Sequence, residues 1–301
     1  MKKNNSLFGS LSLLLTAIIW GATFGIQSMG MNYIKPFTFN GFRALVAIIA
    51  LGLILLIICF KNRNNSSFKL ANGKKAIIGS ICCGLCLFFG TSTQQIGISM
   101  TTVGKAGFLS ALYIIIVPLL GIFLKKKVSP VIWLCVIFSL IGLYLLCVKA
   151  DFKIEPGDIF IILSAFGFAG QILIIDHINQ DINPIFLSVI QFGVVGILSL
   201  FPTFILEKPT MDATISALPY LLFAGILSSG IAYTLQIVGQ KHTAPTIASL
   251  IMSLESVFAA ITGVLFLNET MSLQEFIGCL CIFIAIIISQ INFDNKKKTS
   301  S

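Results

Sequence analysis

Long apolar stretches separated by short polar ones run from one end of the chain to the other. Ten of them are about 20 residues long, and each can cross a hydrocarbon core about 30 Å thick. They fall at Leu7–Ile26, Phe37–Phe60, Ala76–Ile98, Ala106–Leu124, Val131–Val148, Gly157–Ile175, Ile185–Leu206, Ile215–Val238, Ala244–Leu267 and Leu273–Ile291. The pattern predicts an all-α membrane protein of ten transmembrane helices. Its connections are too short for a soluble catalytic domain. The polar, lysine-rich stretch Asn292–Ser301 is expected to be a disordered tail.

The pattern also repeats. Thr101–Tyr113 (TTVGKAGFLSALY) aligns with Thr243–Glu255 (TAPTIASLIMSLE) at an offset of 142, which also pairs Gln94 with Gln236 and Gly97 with Gly239. Earlier in each half an offset of 148 pairs Trp20 with Phe168, Pro36 with Pro184 and Arg43 with Gln191. Each copy holds five helices. Five is odd, so the copies enter the membrane from opposite faces, as in many secondary transporters. The expected division is a first repeat over 1–149, a polar hinge over 150–156, a second repeat over 157–292 and the tail over 293–301.

Composition agrees: 56% of residues are hydrophobic and 10% charged, and a mean hydropathy of +0.99 excludes a water-soluble globular chain. The net charge of +9 suggests nucleic acid until its distribution is read. With the N-terminus inside, the cytoplasmic segments carry fourteen of the 20 basic residues, including Lys61, Arg63, Lys125, Lys126, Lys127 and Lys241. Outer segments carry five: Lys35, Lys105, Lys149, Lys153 and Lys208. The positive-inside rule therefore puts both termini in the cytoplasm, and no nucleic-acid partner is expected. Lys2 and Lys3 before an apolar run have the form of a signal peptide. The run is long, carries Trp20-Gly21 and has a counterpart in the second half, so a retained first helix is expected.

Ionisable groups at depth are the sharpest pointers to function, because a charge at the centre of a spanning helix costs roughly 2.5–3.5 kcal/mol on insertion scales. Glu255 lies 11 residues past Ala244, roughly 16 Å along the ninth helix and near the midplane. It is expected to contact substrate or a coupling proton, or else to be a hydrogen-bonded structural acid. Arg43 is the one basic residue inside a helix. It neutralises Glu255, contacts a substrate carboxylate or serves local charge balance. The amides Gln94, Gln236 and Gln191 line a cavity or tie helices together, with Gln171 a further amide at similar depth. Trp20 and Tyr113 are candidate cavity walls, as are Tyr233, Thr23 and Asn40.

The remaining chemistry has plainer readings. Cys83-Gly-Leu-Cys86 matches C-x-x-C, but all eight cysteines fall in or at the end of apolar runs, where Cys is a small hydrophobe. His177 and His242 fall in connecting segments, so no metal is expected. Thr246, Ser249, Ser253, Ser256, Ala260 and Gly263 step three and four residues along the ninth helix, forming one small stripe. That stripe is either a tight helix contact or the wall of a wet cavity. No H-E-x-x-H, G-x-S-x-G or G-x-x-x-x-G-K-[ST] occurs, so neither catalysis nor nucleotide-driven pumping is expected.

Trp20-Gly21-Ala22-Thr23-Phe24, Pro36 with Arg43, Pro184 with Gln191, Ser253-Leu254-Glu255-Ser256-Val257-Phe258 followed by Leu267-Asn268-Glu269, and Gly278 form an ordered set. Together they resemble the EamA-type ten-helix permeases of the drug/metabolite transporter superfamily, across essentially the whole chain. Two positions depart. Ser256 stands where the family often has proline, which puts a kink there in question. Lys125-Lys126-Lys127 stands where the first repeat often ends with an acid. The resemblance implies two inverted five-helix repeats around a central cavity, with helices five and ten at the periphery. It implies amino acids, other small metabolites or drugs as substrates, usually exported and sometimes imported.

The expectation is therefore a plasma-membrane permease for a small solute, working by alternating access without a cofactor, with homodimerisation left open. The runner-up readings are a membrane-embedded lipid-modifying factor and a non-transporting sensor or scaffold.

Overall fold

The computed structural model describes residues 2–63, 69–126, 128–147, 155–267 and 271–299. Lys127, Asn268, Glu269, Lys149, Lys153 and most of the expected hinge lie outside them. Ten helices are long and apolar enough to span a membrane: α1 (Ser6–Gly30), α2 (Pro36–Lys61), α3 (Lys74–Ile98), α4 (Val103–Phe123), α5 (Pro130–Cys147), α6 (Pro156–Ile178), α7 (Pro184–Glu207), α8 (Met211–Gln240), α9 (Pro245–Thr262) and α10 (Leu273–Ile291). Five of them, α2, α5, α6, α7 and α9, begin with proline. Proline's fixed φ suits the first helical position, and its missing N–H would have been unpaired there anyway. Large apolar side chains such as Phe60, Phe123 and Ile197 point outward, as a lipid-facing surface requires. The helices form two inverted five-helix repeats around a central cavity.

The inversion is visible in the closest helix approaches. A Cβ added at Gly97 in α3 would lie 2.8 Å from the Gly157 carbonyl in α6, and one at Gly157 would lie 3.1 Å from the Gly97 carbonyl. Their repeat equivalents, Gly239 in α8 and Gly9 in α1, make the same reciprocal contact at 2.9 and 3.0 Å. The chain thus builds two equivalent bundles, α3 with α4 and α6, and α8 with α9 and α1. In lipid, small residues of this kind are what allow backbones to approach. Away from the cavity α5 packs on α10, where Gly142 and Gly278 approach each other closely.

The first bundle is tied at its ends. Thr101 donates to the buried Asp158 carboxylate at 2.5 Å, and Lys105 lies 3.4 Å from both Asp158 and Glu155. Lys126 and Asp176 form an ion pair at the opposite end. Glu207, ending α7, caps α2 by accepting from the Phe37 and Thr38 amides at 3.0 and 2.6 Å.

Three expectations need correction. His177 lies in the last turn of α6, not in a connection, because that helix runs three residues past Ile175 to Ile178. The tenth helix continues to Thr299 instead of giving way to a disordered tail. The ninth helix is broken despite having no proline at Ser256. Its halves, Pro245–Met252 and Glu255–Leu267, meet at a tight turn over Ser253 and Leu254. The fourth helix is broken at the equivalent place, between Val103–Ser110 and Tyr113–Phe123. In α9 the Ser249 and Ser253 hydroxyls donate to carbonyls three residues back, at 2.8 and 2.7 Å. Such back-bonding bends helices without proline.

Candidate translocation site

The two breaks set the site. Tyr113 lies ten residues past Val103 and Glu255 ten past Pro245, so each stands about 15 Å into its helix, half of a hydrocarbon core about 30 Å thick. Because α4 and α9 run in opposite directions, equal depths from opposite faces meet at the middle. There the Tyr113 hydroxyl donates to Glu255 Oε1 at 3.1 Å, both side chains being buried. One helical position, occupied by a phenol in one copy and an acid in the other, has become a hydrogen-bonded pair. Beside it, Ser256 Oγ donates to the Gly107 carbonyl at 3.0 Å and holds the broken helices together.

Around this pair lies a cavity of about 480 Å³ including its opening to solvent. One wall is aromatic. Tyr233 packs against Trp20 at 4.7 Å between ring centroids and against Phe192 edge-on at 5.2 Å. Trp20 and its repeat partner Phe168 both line the space. Arg43 enters from α2, and its Nη1 donates to Gln27 Oε1. Arg43 Nε and Trp20 Nε1 are buried donors without a protein acceptor. Among the described residues no ion pair joins Arg43 to Glu255.

Of the residues expected to form the site, Glu255, Arg43, Gln94, Gln236, Trp20 and Tyr113 all line the cavity. Gln94 also donates to Ser110 at 2.9 Å, and Gln236 exchanges hydrogen bonds with Gln171 at 2.9 and 3.2 Å. Gln191 does not line it. Although repeat-related to Arg43, it sits behind the wall, accepting from Cys83 Sγ at 3.3 Å and from Gln171 at 3.4 Å. Thr23 and Tyr233 are on the wall, whereas Asn40 is turned toward α3 and donates to the Thr91 carbonyl at 3.0 Å. Thr246, Ser249, Ser253 and Ser256 of the small stripe are buried and line no part of the cavity, so at these residues the stripe is a helix contact.

Gln27, Phe24 and Ser228 line the site as well without having been singled out. Gln27 was accessible to sequence reasoning, since Trp20, Thr23 and Gln27 step three and four residues along one face. Ser228 was not. It lies in Ala224–Ala232, where α8 loosens into wide π-type turns. Turns of this kind often occur at functional sites but leave no hydrophobic signature.

Comparison with known proteins agrees with the doubled architecture. The model of the EamA-like transporter family matches residues 7–148 and again 155–290. A protein of Archaeoglobus fulgidus, described as an uncharacterized transporter, is 29% identical over 289 residues, covering 94% of this chain and 85% of its own. The uncharacterized transporter YoaV of Bacillus subtilis is 25% identical over 293 residues, covering 95% and 98%. A solved crystal structure superposes with a TM-score of 0.75 at 16% identity, covering 96% of this chain and 97% of its own. That likeness concerns the fold alone.

Proposed function

This chain belongs to the EamA-like transporter family, and on that premise we propose that it is a secondary transporter moving a small solute by alternating access. The two bundles rock about the Tyr113–Glu255 contact, exposing the cavity to each side in turn. Each moving bundle draws helices from both repeats, over 1–149 and 157–292. By the distribution of lysines both termini are cytoplasmic, and the resemblance to EamA-type permeases adds a plasma-membrane location and export of the solute.

The observation that carries this reading is the cavity's charge pattern. Arg43 and Glu255 line one buried space without pairing, and a buried charge needs a partner. A small amphipathic cargo bearing both an ammonium and a carboxylate, such as an amino acid, would supply one partner to each. A pure anion would leave Glu255 unmatched, and a pure cation would leave Arg43 unmatched. The aromatic wall suits an apolar side chain on the same solute. The remaining cavity polar groups, Gln94 and Gln236, sit where a neutral polar part of the cargo would pass. Gln191 acts from behind the wall by holding Gln171. No catalytic or metal role is assigned to any residue.

The test is solute profiling of cells with and without the protein, followed by flux of the responding solute in reconstituted vesicles. Saturable flux is expected, and its absence for every responding solute would leave a sensor or scaffold in place of a transporter. Glu255→Gln separates two roles of the acid. Loss of pH-driven flux with exchange retained is expected for a proton carrier, and unchanged pH dependence removes that role.

A further inference from the structure

The two ends of the cavity are bounded by different chemistry. At one end α6 and the segment after it meet α8 and the segment after it through six hydrogen bonds. Gln171 and Gln236 exchange two. Gln240 Nε2 donates to the Ile172 carbonyl at 3.0 Å, and Asn179 Nδ2 to the Gln240 carbonyl at 3.0 Å. Gln180 donates to the Lys241 carbonyl at 3.1 Å, and Lys241 Nζ to the Ile182 carbonyl at 3.0 Å. An apolar cluster that includes Ile175, Ile178, Ile182 and Ile237 lies at the same end.

At the other end the repeat-related helices α1 and α3 meet. The equivalents of Gln171, Ile172 and Asn179 are Thr23, Phe24 and Met31; those of Gln236, Gln240 and Lys241 are Gln94, Ile98 and Ser99. Among the described residues no side-chain hydrogen bond crosses this seam. Thr23 returns to the Ile19 carbonyl, Ser99 to the Ile96 carbonyl, and Gln94 turns to Ser110. Phe24 and Ile98 instead belong to an apolar cluster with Ala106, Leu109 and Ile161.

We propose that the seams are two gates of unequal strength: a hydrogen-bonded clasp between α6 and α8 that stays shut at rest, and a purely apolar seal between α1 and α3 that opens first. Both ends bury apolar side chains, and only one adds a polar ladder. Hydrogen bonds weaken steeply with displacement and angle, so the ladder holds until it breaks as a unit, whereas an apolar seal can slide. The proposal rests on the transporter reading. With the orientation given above, the clasp is the cytoplasmic gate and the resting cavity opens outward.

The test is hydrogen exchange by mass spectrometry on the full chain in lipid nanodiscs. Asn179→Leu combined with Gln240→Leu removes two ladder bonds at residues that do not line the cavity. At about 1 kcal/mol each, this should shift the balance of open gates roughly 30-fold. Amides around 172–183 and 237–244 are expected to exchange faster, and those around 23–34 and 94–102 more slowly. The reverse graft, Met31→Asn with Ile98→Gln, installs ladder residues at the other seam and should shift exchange in the opposite sense. Reciprocal change at the two ends supports the gates. Faster exchange at both ends in both variants, or no change in either, overturns them. Solute flux by the unaltered protein is measured alongside. If flux is present without reciprocal exchange, the gates fail and the transporter stands; if exchange is reciprocal without flux, the transporter reading fails.

Discussion

Exchanging the residues of the central pair, Tyr113→Glu together with Glu255→Tyr, should rebuild the hydrogen bond that either change alone destroys. The pseudo-twofold axis relates the two positions, so a phenol at 255 and an acid at 113 face each other as the native groups do. The native bond is 3.1 Å long and joins side chains 2% and 4% exposed, so little water replaces a lost partner. A hydrogen bond to a charged group contributes about 1.5–3 kcal/mol, and leaving the acid unpartnered costs a similar amount. Tyr113→Glu alone sets two acids against each other, and Glu255→Tyr alone crowds two phenols. Each single variant should therefore lose about 1.5–3 kcal/mol, and the exchanged protein most of neither. Denaturant unfolding in bicelles, analysed as a double-mutant cycle, gives the coupling directly. An exchanged protein as weak as the sum of the two single losses would refute the twofold placement of these residues.

Other consequences are open to simpler measurements. Gln27→Leu removes the acceptor that holds the Arg43 guanidinium and should raise the cargo's KM about tenfold, as expected for one charged hydrogen bond, in vesicle flux of the responding solute. Gly142→Ala would place a Cβ 2.7 Å from the Gly278 carbonyl. Backbone cannot yield there, so unfolding should show a loss of about 1–3 kcal/mol, with KM unchanged because the site is remote from the cavity. Burial holds the Lys241 ammonium below its ordinary 10.5. Between that lowered value and 10.5 the unfolded chain binds more protons than the folded one, so stability rises with pH across this window. Lys241→Gln should flatten the rise in unfolding measured at several pH values.

The ten helices were legible because a hydrocarbon environment demands a long apolar run for each crossing. The inversion was legible because an odd number of crossings leaves no alternative. Even the central pair was marked in the sequence, as a position where aligned copies carry Tyr113 and Glu255. Rotation about a helix axis was harder to read than depth. Gln191 has the right depth and the right partner in Arg43, yet it faces α3 and α6 instead of the cavity. The break in α9 was hidden because the expected cue was a proline at Ser256, whereas the structure breaks at Ser253 and Leu254 alongside local hydroxyl bonds. The widened turns of Ala224–Ala232 had no cue at all, since hydropathy averages over the same residues whether the turn is wide or regular.

The central phenol and carboxylate also bear on how such a chain could arise. Two identical five-helix chains associating about a twofold axis would bring the same residue to this position from both sides. They could place acid against acid or phenol against phenol, but never a donor against its acceptor in a fixed order. Joining the copies into one polypeptide removes that restriction, because each position on the axis can then change independently of its twin. The 3.1 Å bond between Tyr113 and Glu255 is therefore a contact open only to a fused or heteromeric ancestor. It marks a point where the two copies differ, an asymmetry that symmetric assembly forbids.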